Sequence, residues 1–270
     1  DQSPPGENPK IFAPGIISEQ EHFEHSCLAF SPDYTEVYWS SDYKKSGFYD
    51  IVYTKRENGR WIAPKLAPFS EKYFAGAPVF SYDGKKLYFS STRPRNEESE
   101  KSDGNIWYVE KVRNEWSEPK ILNDIINTDQ RENVLSISKD GTLYFRRDME
   151  FFRSVQENGF FQTPVKLDIK ITDARILALF IAYDESYMLL ESFGSGGYGG
   201  ADIYACYKLK DDSWSEPVNL GQKINAGGME RFPSVSPDGK YLFFLRVSDG
   251  SDFYWISAKI IEDLKPDDLK

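Results

Sequence analysis

Short apolar runs alternate with turn residues along most of the chain, and no long helical period competes with them. The clearest case is Phe232-Pro233-Ser234-Val235, then Ser236-Pro237-Asp238-Gly239, then Tyr241-Leu242-Phe243-Phe244. Asp-Gly between two apolar runs predicts a hairpin. Glycine takes the positive φ of a tight turn, and the aspartate can hydrogen-bond its own backbone across it. The arrangement recurs at Ser81-Tyr82-Asp83-Gly84 before Leu87-Tyr88-Phe89 and at Ser138-Lys139-Asp140-Gly141 before Leu143-Tyr144-Phe145. Weaker copies stand at Ser31-Pro32-Asp33-Tyr34 and Ala182-Tyr183-Asp184-Glu185. The five turns begin at residues 31, 81, 138, 182 and 236, spaced by 50, 57, 44 and 54 residues. A strand-rich repeat of this length predicts a β-propeller and not a single sandwich. The expected fold class is therefore all-β, a five-bladed β-propeller of four-stranded antiparallel blades.

Each unit divides into four strands, a to d from the axis outward. Strand a precedes the turn, at 28–30, 78–80, 135–137, 179–181 and 233–235, and strand b follows it. Strand c is an Asp-Ile-Tyr type segment at 50–53, 105–108, 202–204 and 252–255, with only Phe151-Phe152-Arg153 in the third unit. Strand d carries an aromatic three residues before a proline: Trp61 with Pro64, Trp116 with Pro119, Phe161 with Pro164, Trp214 with Pro217. Proline lacks an N–H and suits an outer edge. The fifth unit has no such segment, but Ile11-Phe12-Ala13-Pro14 has the same spacing. The N-terminal strand is thus expected to join the C-terminal blade and close the ring. The expected organisation is a flexible tether over 1–9, a single propeller domain over 10–264 and a tail over 265–270.

Composition narrows the function classes. Aromatics make up 16% of the 270 residues, which suits half-buried sheet faces. A formal charge of -10 argues against nucleic acid, whose phosphates would repel this chain. Cys27 and Cys206, on strands of different units, read as buried free thiols and not a bridge. No apolar run is long enough to span a bilayer. The chain starts at Asp1 without methionine, which suggests a processed amino terminus, a removed signal peptide being one explanation.

The recurrent Ser-x-Asp-Gly turns, the Asp-Ile-Tyr segments, the Trp-x-x-Pro strands and Ile126-Asn127-Thr128 or Ile224-Asn225-Ala226 before the next unit resemble the WD-like propeller repeats of TolB-type proteins. The resemblance covers nearly the whole chain and implies a propeller. Because family members are mostly exported bacterial envelope proteins, it also implies a periplasmic or cell-surface location. The TolB propeller has six blades and an added N-terminal domain, whereas five units are counted here. The turns also resemble sialidase Asp-boxes, with Tyr or Phe where those have Trp, and no arginine triad or nucleophilic tyrosine can be placed.

In propellers the d-to-a and b-to-c connections share one face, and here that face carries the irregular loops. The loop from Arg93 to Asp103 reads as solvated charge. Gly194-Ser195-Gly196-Gly197-Tyr198-Gly199-Gly200 reads as a mobile hairpin end whose Tyr198 could stack on a ligand or act as a lid. It lacks the lysine and following helix of a phosphate cradle. Six residues before each turn lie His25, Ala75, Glu132, Ile176 and Glu230, with Glu24, Phe74, Arg131, Arg175, Met229 and Arg231 beside them. This mixed-charge rim is the candidate ligand-binding funnel at the channel mouth. The same arginines and glutamates could instead be ion pairs locking blade to blade. No cofactor and no metal are expected, since His22 and His25 are the only histidines and no second cluster completes a ligand set with Glu21 and Glu24. The favoured reading is a non-catalytic recognition module, a monomer, holding an envelope protein or glycan. The alternative is a glycoside hydrolase using paired carboxylates among Glu24, Glu132 and Glu230, which this reading places in loops because no strand a carries an acid. No Ser-His-Asp or Cys-His order is readable.

Overall fold

The computed structural model describes residues 2–18, 21–45, 47–96, 104–169, 174–194 and 196–269. Its hairpin turns are built as the repeat predicts. In the second, Ser81 Oγ donates to Asp83 Oδ1 at 2.8 Å, Lys85 N donates to the same oxygen at 3.0 Å, and Lys86 N donates to Ser81 Oγ at 2.9 Å. Gly84, Gly141 and Gly239 hold φ of 70°, 88° and 73°. In the two weaker copies Tyr34 and Glu185 take the same left-handed conformation, at 57° and 58°, despite their side chains.

These hairpins organise five antiparallel sheets, the blades of a five-bladed β-propeller. The chain divides into two compact units. The unit Leu28–Leu167 holds the first three blades. Their strands a, b and c are Ala29–Phe30, Glu36–Ser41 and Asp50–Glu57; Ala75–Phe80, Lys86–Ser91 and Asn105–Val112; and Glu132–Ile137, Leu143–Arg147 and Glu150–Ser154. Strands b and c run between neighbours on both faces, so their apolar runs are nearly continuous. Tyr38, Ile51, Leu87, Phe89 and Trp107 share one core, and Ile106, Val134, Leu143 and Phe145 another. Strand d breaks at its proline in the first two blades. Trp61 and Trp116 lie in two-residue pieces paired to the far end of strand c, and the strand resumes as Lys65–Leu66 and Lys120–Ile121. A proline placed at the break removes no ladder hydrogen bond.

The second unit, Asp1–Cys27 with Asp168–Lys270, holds the last two blades. The fourth blade is Ala174–Ile181, Tyr187–Gly194, Asp202–Tyr207 and Val218–Asn219. The fifth is Met229–Val235, Tyr241–Val247 and Ser251–Ser257, and its fourth strand is Lys10–Ile11. Lys10 faces Trp255, Ile11 faces Tyr254, and Phe12 N donates to Phe253 O at 2.7 Å. The Phe12 ring then meets Phe243 and Trp255 edge-on at 5.0 and 5.3 Å. The N-terminal strand thus completes the C-terminal blade, as the Ile-x-x-Pro spacing predicts. After the last strand, the short helix Lys259–Asp263 buries Ile261, whose carbonyl accepts the Tyr207 hydroxyl at 2.5 Å. Among the described residues no helix is long and apolar enough to cross a membrane.

Strand a extends well before the apolar triplets that mark it in the sequence, through a β-bulge in blades two to five. A bulge leaves a backbone N–H outside its own ladder. Strand b of the preceding blade supplies the acceptor. Ala77 N donates to Ser40 Oγ at 3.0 Å, Val134 N to Ser90 Oγ at 3.1 Å, and Phe232 N to the Glu191 carboxylate at 3.2 Å. A second clamp lies further out. The Asn127 amide accepts from Ile106 N at 2.8 Å and donates back to Ile106 O at 3.0 Å, and Asn225 does the same with Ile203 at 2.9 and 3.0 Å. This is what the Ile-Asn pairs of the sequence are for.

The turn glycines give a direct test. Gly239 has open space where a Cβ would sit, so Gly239→Ala should cost only the left-handed strain, about 1 kcal/mol in urea unfolding. A Cβ on Gly84 would meet Pro32 Cδ at 2.9 Å, so Gly84→Ala should cost measurably more. Equal losses at the two positions would contradict this assignment.

Candidate functional site

The rim glutamates come first, because a hydrolase reading depends on them. Glu132 and Glu230 do not sit in loops: Glu132 opens strand a of the third blade, and Glu230 is the second residue of strand a in the fifth. The sequence reading missed this because the bulge separates them from the apolar triplet. Both side chains have 0% exposure. Glu132 Oε1 accepts from Arg147 Nε at 3.0 Å, Thr128 Oγ1 at 2.6 Å and Thr128 N at 3.0 Å. Glu230 Oε1 accepts from Arg246 Nε at 2.7 Å. Each arginine then reaches a carbonyl of the incoming connection, Ile126 O at 2.9 Å and Ile224 O at 2.8 Å.

The two blades repeat one construction, in which a glutamate on strand a and an arginine at the end of strand b lock the hairpin to the chain entering it. Burial raises the Glu230 pKa and the nearby Asp202 charge adds to the rise, while the Arg246 hydrogen bond opposes it. Glu24 is buried as well, its backbone N–H donating to Ser251 Oγ at 2.8 Å. The arginines that pair with Glu132 and Glu230 are on strand b, not the sequence neighbours Arg131 and Arg231. Arg131 is exposed. Arg231 instead reaches Glu191, a fully buried acid on strand b of the fourth blade, at 2.7 Å. Its guanidinium lies over Phe232, whose ring meets His25 at 4.8 Å. Glu191 is absent from the candidate rim, although an acid directly after the apolar run Met188-Leu189-Leu190 on the same strand is a readable signal. Phe74 is half-buried, and its carbonyl accepts from Ser91 Oγ at 2.7 Å.

The described part of the glycine-rich loop, residues 196–200, is hydrogen-bonded to its neighbours. Tyr198 N donates to Asp202 Oδ2 at 2.7 Å, and Gly200 N donates to Gly228 O at 2.8 Å. Ala201 bridges Met229, and Glu230 N donates to Ala201 O at 2.8 Å. The glycines permit this approach. A Cβ on Gly197 would stand 2.3 Å from Asp202 Oδ2, and one on Gly199 would stand 2.2 Å from Gly228 O. Two backbones pack directly, and the loop presents Tyr198 with 49% exposure. Ser195 lies outside the described residues.

At the described start of the charged loop, the two arginines are held against the protein and are not solvated charge. Arg93 donates to Phe69 O at 2.9 Å and lies over the Tyr73 and Trp107 rings, and Arg95 donates to Asn105 Oδ1 at 3.0 Å and to Thr128 O. Its residues 97–103 are not among those described. Cys27 and Cys206 are free, and burial pushes both thiols up to about 12, so both are protonated at neutral pH and neither is an activated nucleophile. Among the described residues no three His, Cys, Asp or Glu side chains form a metal-ligand set.

With this geometry in place, the fold is that of a TolB-like β-propeller. The chain is similar to TolB from Acinetobacter baumannii at 15% identity and a TM-score of 0.53, over 87% of this chain and 52% of that one. It is similar to a TolB from Agrobacterium tumefaciens at 14% identity and a TM-score of 0.53, over 83% of this chain and 70% of that one. The chain thus spans about half the length of the first of these proteins. A looser likeness, TM-score 0.46 at 14% identity over 93% of this chain and 68% of the other, is to an oligogalacturonate lyase in complex with manganese. No family model matches the sequence, and no curated protein is similar to it.

The glutamate locks predict an asymmetry. Glu230→Ala should lower unfolding free energy by about 3–5 kcal/mol because it strands Arg246, whereas Glu230→Met with Arg246→Met should come within about 1 kcal/mol of the parent. Urea unfolding of the three proteins checks this, and a harmless Glu230→Ala would refute the lock.

Proposed function

We propose that this chain is a non-catalytic recognition module of the bacterial cell envelope, a monomer that holds a protein or glycan ligand through its irregular loops. The observation that carries this reading is the exposed Tyr198 ring on a backbone fixed by Asp202 and Gly228. A held aromatic loses little freedom on binding, so its apolar face and hydroxyl are available at low entropic cost. Arg175, an exposed residue, stands opposite Phe193, where strand b feeds into this loop. The burial of Glu132 and Glu230 speaks against the glycoside hydrolase, whose acid and partner carboxylate must reach the glycosidic bond. Envelope location rests on the TolB-like repeats.

The test is retention of envelope extract and of an arrayed glycan set by the wild type, Tyr198→Ala and Gly199→Ala. Loss of the retained species in both variants, with unchanged melting temperature for Tyr198→Ala, is expected. Gly199→Ala should also open the loop to chymotrypsin at Tyr198. Glycan hydrolysis that disappears in Glu230→Gln, while that variant stays folded, would overturn the reading in favour of the hydrolase.

A further inference from the structure

The second and third blades, within the unit Leu28–Leu167, frame a groove of about 480 Å³ on the side of the a-to-b turns. A hollow of about 200 Å³ shares Lys86, Tyr88 and Gln156 with it and extends it toward Tyr108 and Phe160. The larger volume falls within the roughly 300–1,000 Å³ of small-molecule sites. Tyr82 at one end is 42% exposed and Phe160 at the other 69%. None of this belongs to the rim or to the Tyr198 loop.

We propose that this groove binds a short acidic oligosaccharide, with sugar faces against Tyr82 and Phe160 and a uronate carboxylate on Lys139. Four lysines line the groove against three carboxylates, in a chain whose net charge is -10. Lys86 is paired with Glu110 at 3.5 Å and Lys111 with Glu36 at 3.0 Å. Lys85 is paired with the exposed Asp83, at 3.6 Å. Lys139 has no carboxylate partner among the described residues; its ammonium lies over the Tyr82 ring at 5.4 Å. That contact sets the angle of the ring and holds a cation beside it. A sugar carboxylate brought to Tyr82 therefore finds an aromatic ring and, beside it, a cation with no carboxylate partner among the described residues.

The strands favour a glycan over an extended peptide. Lys86 and Tyr88 belong to strand b of the second blade and Glu110 to Val112 to its strand c, and both strands are already paired on each side. These two strands offer no open ladder to a peptide backbone, which takes its affinity from main-chain hydrogen bonds to a free edge. What the groove offers is ring faces, ammonium groups and the Gln156 amide, the donors and platforms that suit hydroxyls and carboxylates.

Calorimetric titration at low salt with trimannuronate, neutral mannotriose and a tri-glutamate peptide tests this. Trimannuronate should bind, weaken about tenfold in Lys139→Ala and in Tyr82→Ala, and bind more tightly than either of the other probes. Both side chains are exposed, so the variants should keep the parental melting temperature. Absence of trimannuronate binding, equal binding by the variants, or equal or tighter binding of the peptide would each overturn the proposal. Tyr198→Ala should leave this titration unchanged, so its outcome is independent of the ligand held at the other loop.

Discussion

A bulged inner strand cannot satisfy its own backbone, and the rest of this structure follows from how that is solved. The displaced N–H is buried at Val134 and part-buried at Ala77 and Phe232, and leaving a buried one without an acceptor would cost about 1–3 kcal/mol. Ser40, Ser90 and Glu191 occupy the same place on strand b of three blades and accept the N–H of Ala77, Val134 and Phe232. One interaction therefore completes a strand and fixes the blade that follows. The serine does this with a hydroxyl. Glu191 does it with a charge, and that charge requires Arg231 beside it.

The same logic accounts for most of the charged groups near the inner strands. Glu132, Glu230 and Glu191 are fully buried, each bonded to an arginine, and two of those arginines go on to hold the entering connection by its carbonyls. The scaffold takes up both oxygens of Glu191 and Oε1 of Glu132 and Glu230, whose Oε2 atoms are buried without a hydrogen-bond partner among the described residues. What is left over for a ligand is peripheral: Tyr198 on a loop pinned by glycine contacts, and the groove with Lys139 and Tyr82 among turns that look uniform in sequence.

Local chemistry was legible in the sequence. Asp-Gly turns, the central apolar strands and the Ile-x-x-Pro of the N-terminal strand each carry their own reason to adopt the observed conformation, within a few residues. The misplacements are all tertiary. A bulge leaves no residue signature, so the sequence alone places Glu132 and Glu230 in loops. Partner choice was hidden too, because Arg147 and Arg246 are distant in sequence yet adjacent across the hairpin, while Arg131 and Arg231 are neighbours that point elsewhere. The glycines of the 196–200 loop are read equally well as freedom or as close approach, and only the position of Gly228 decides between them. The inter-blade groove arises from two turns being brought together, so no single segment encodes it.

The most direct measurement is the unfolding free energy of Glu191→Ala beside that of Glu191→Gln. If this carboxylate is a scaffold clamp, alanine strands both Arg231 and the Phe232 N–H, and stability should fall by about 3–5 kcal/mol while glutamine retains most of it. An alanine variant as stable as the parent would contradict the account and leave Glu191 available for a ligand or a reaction.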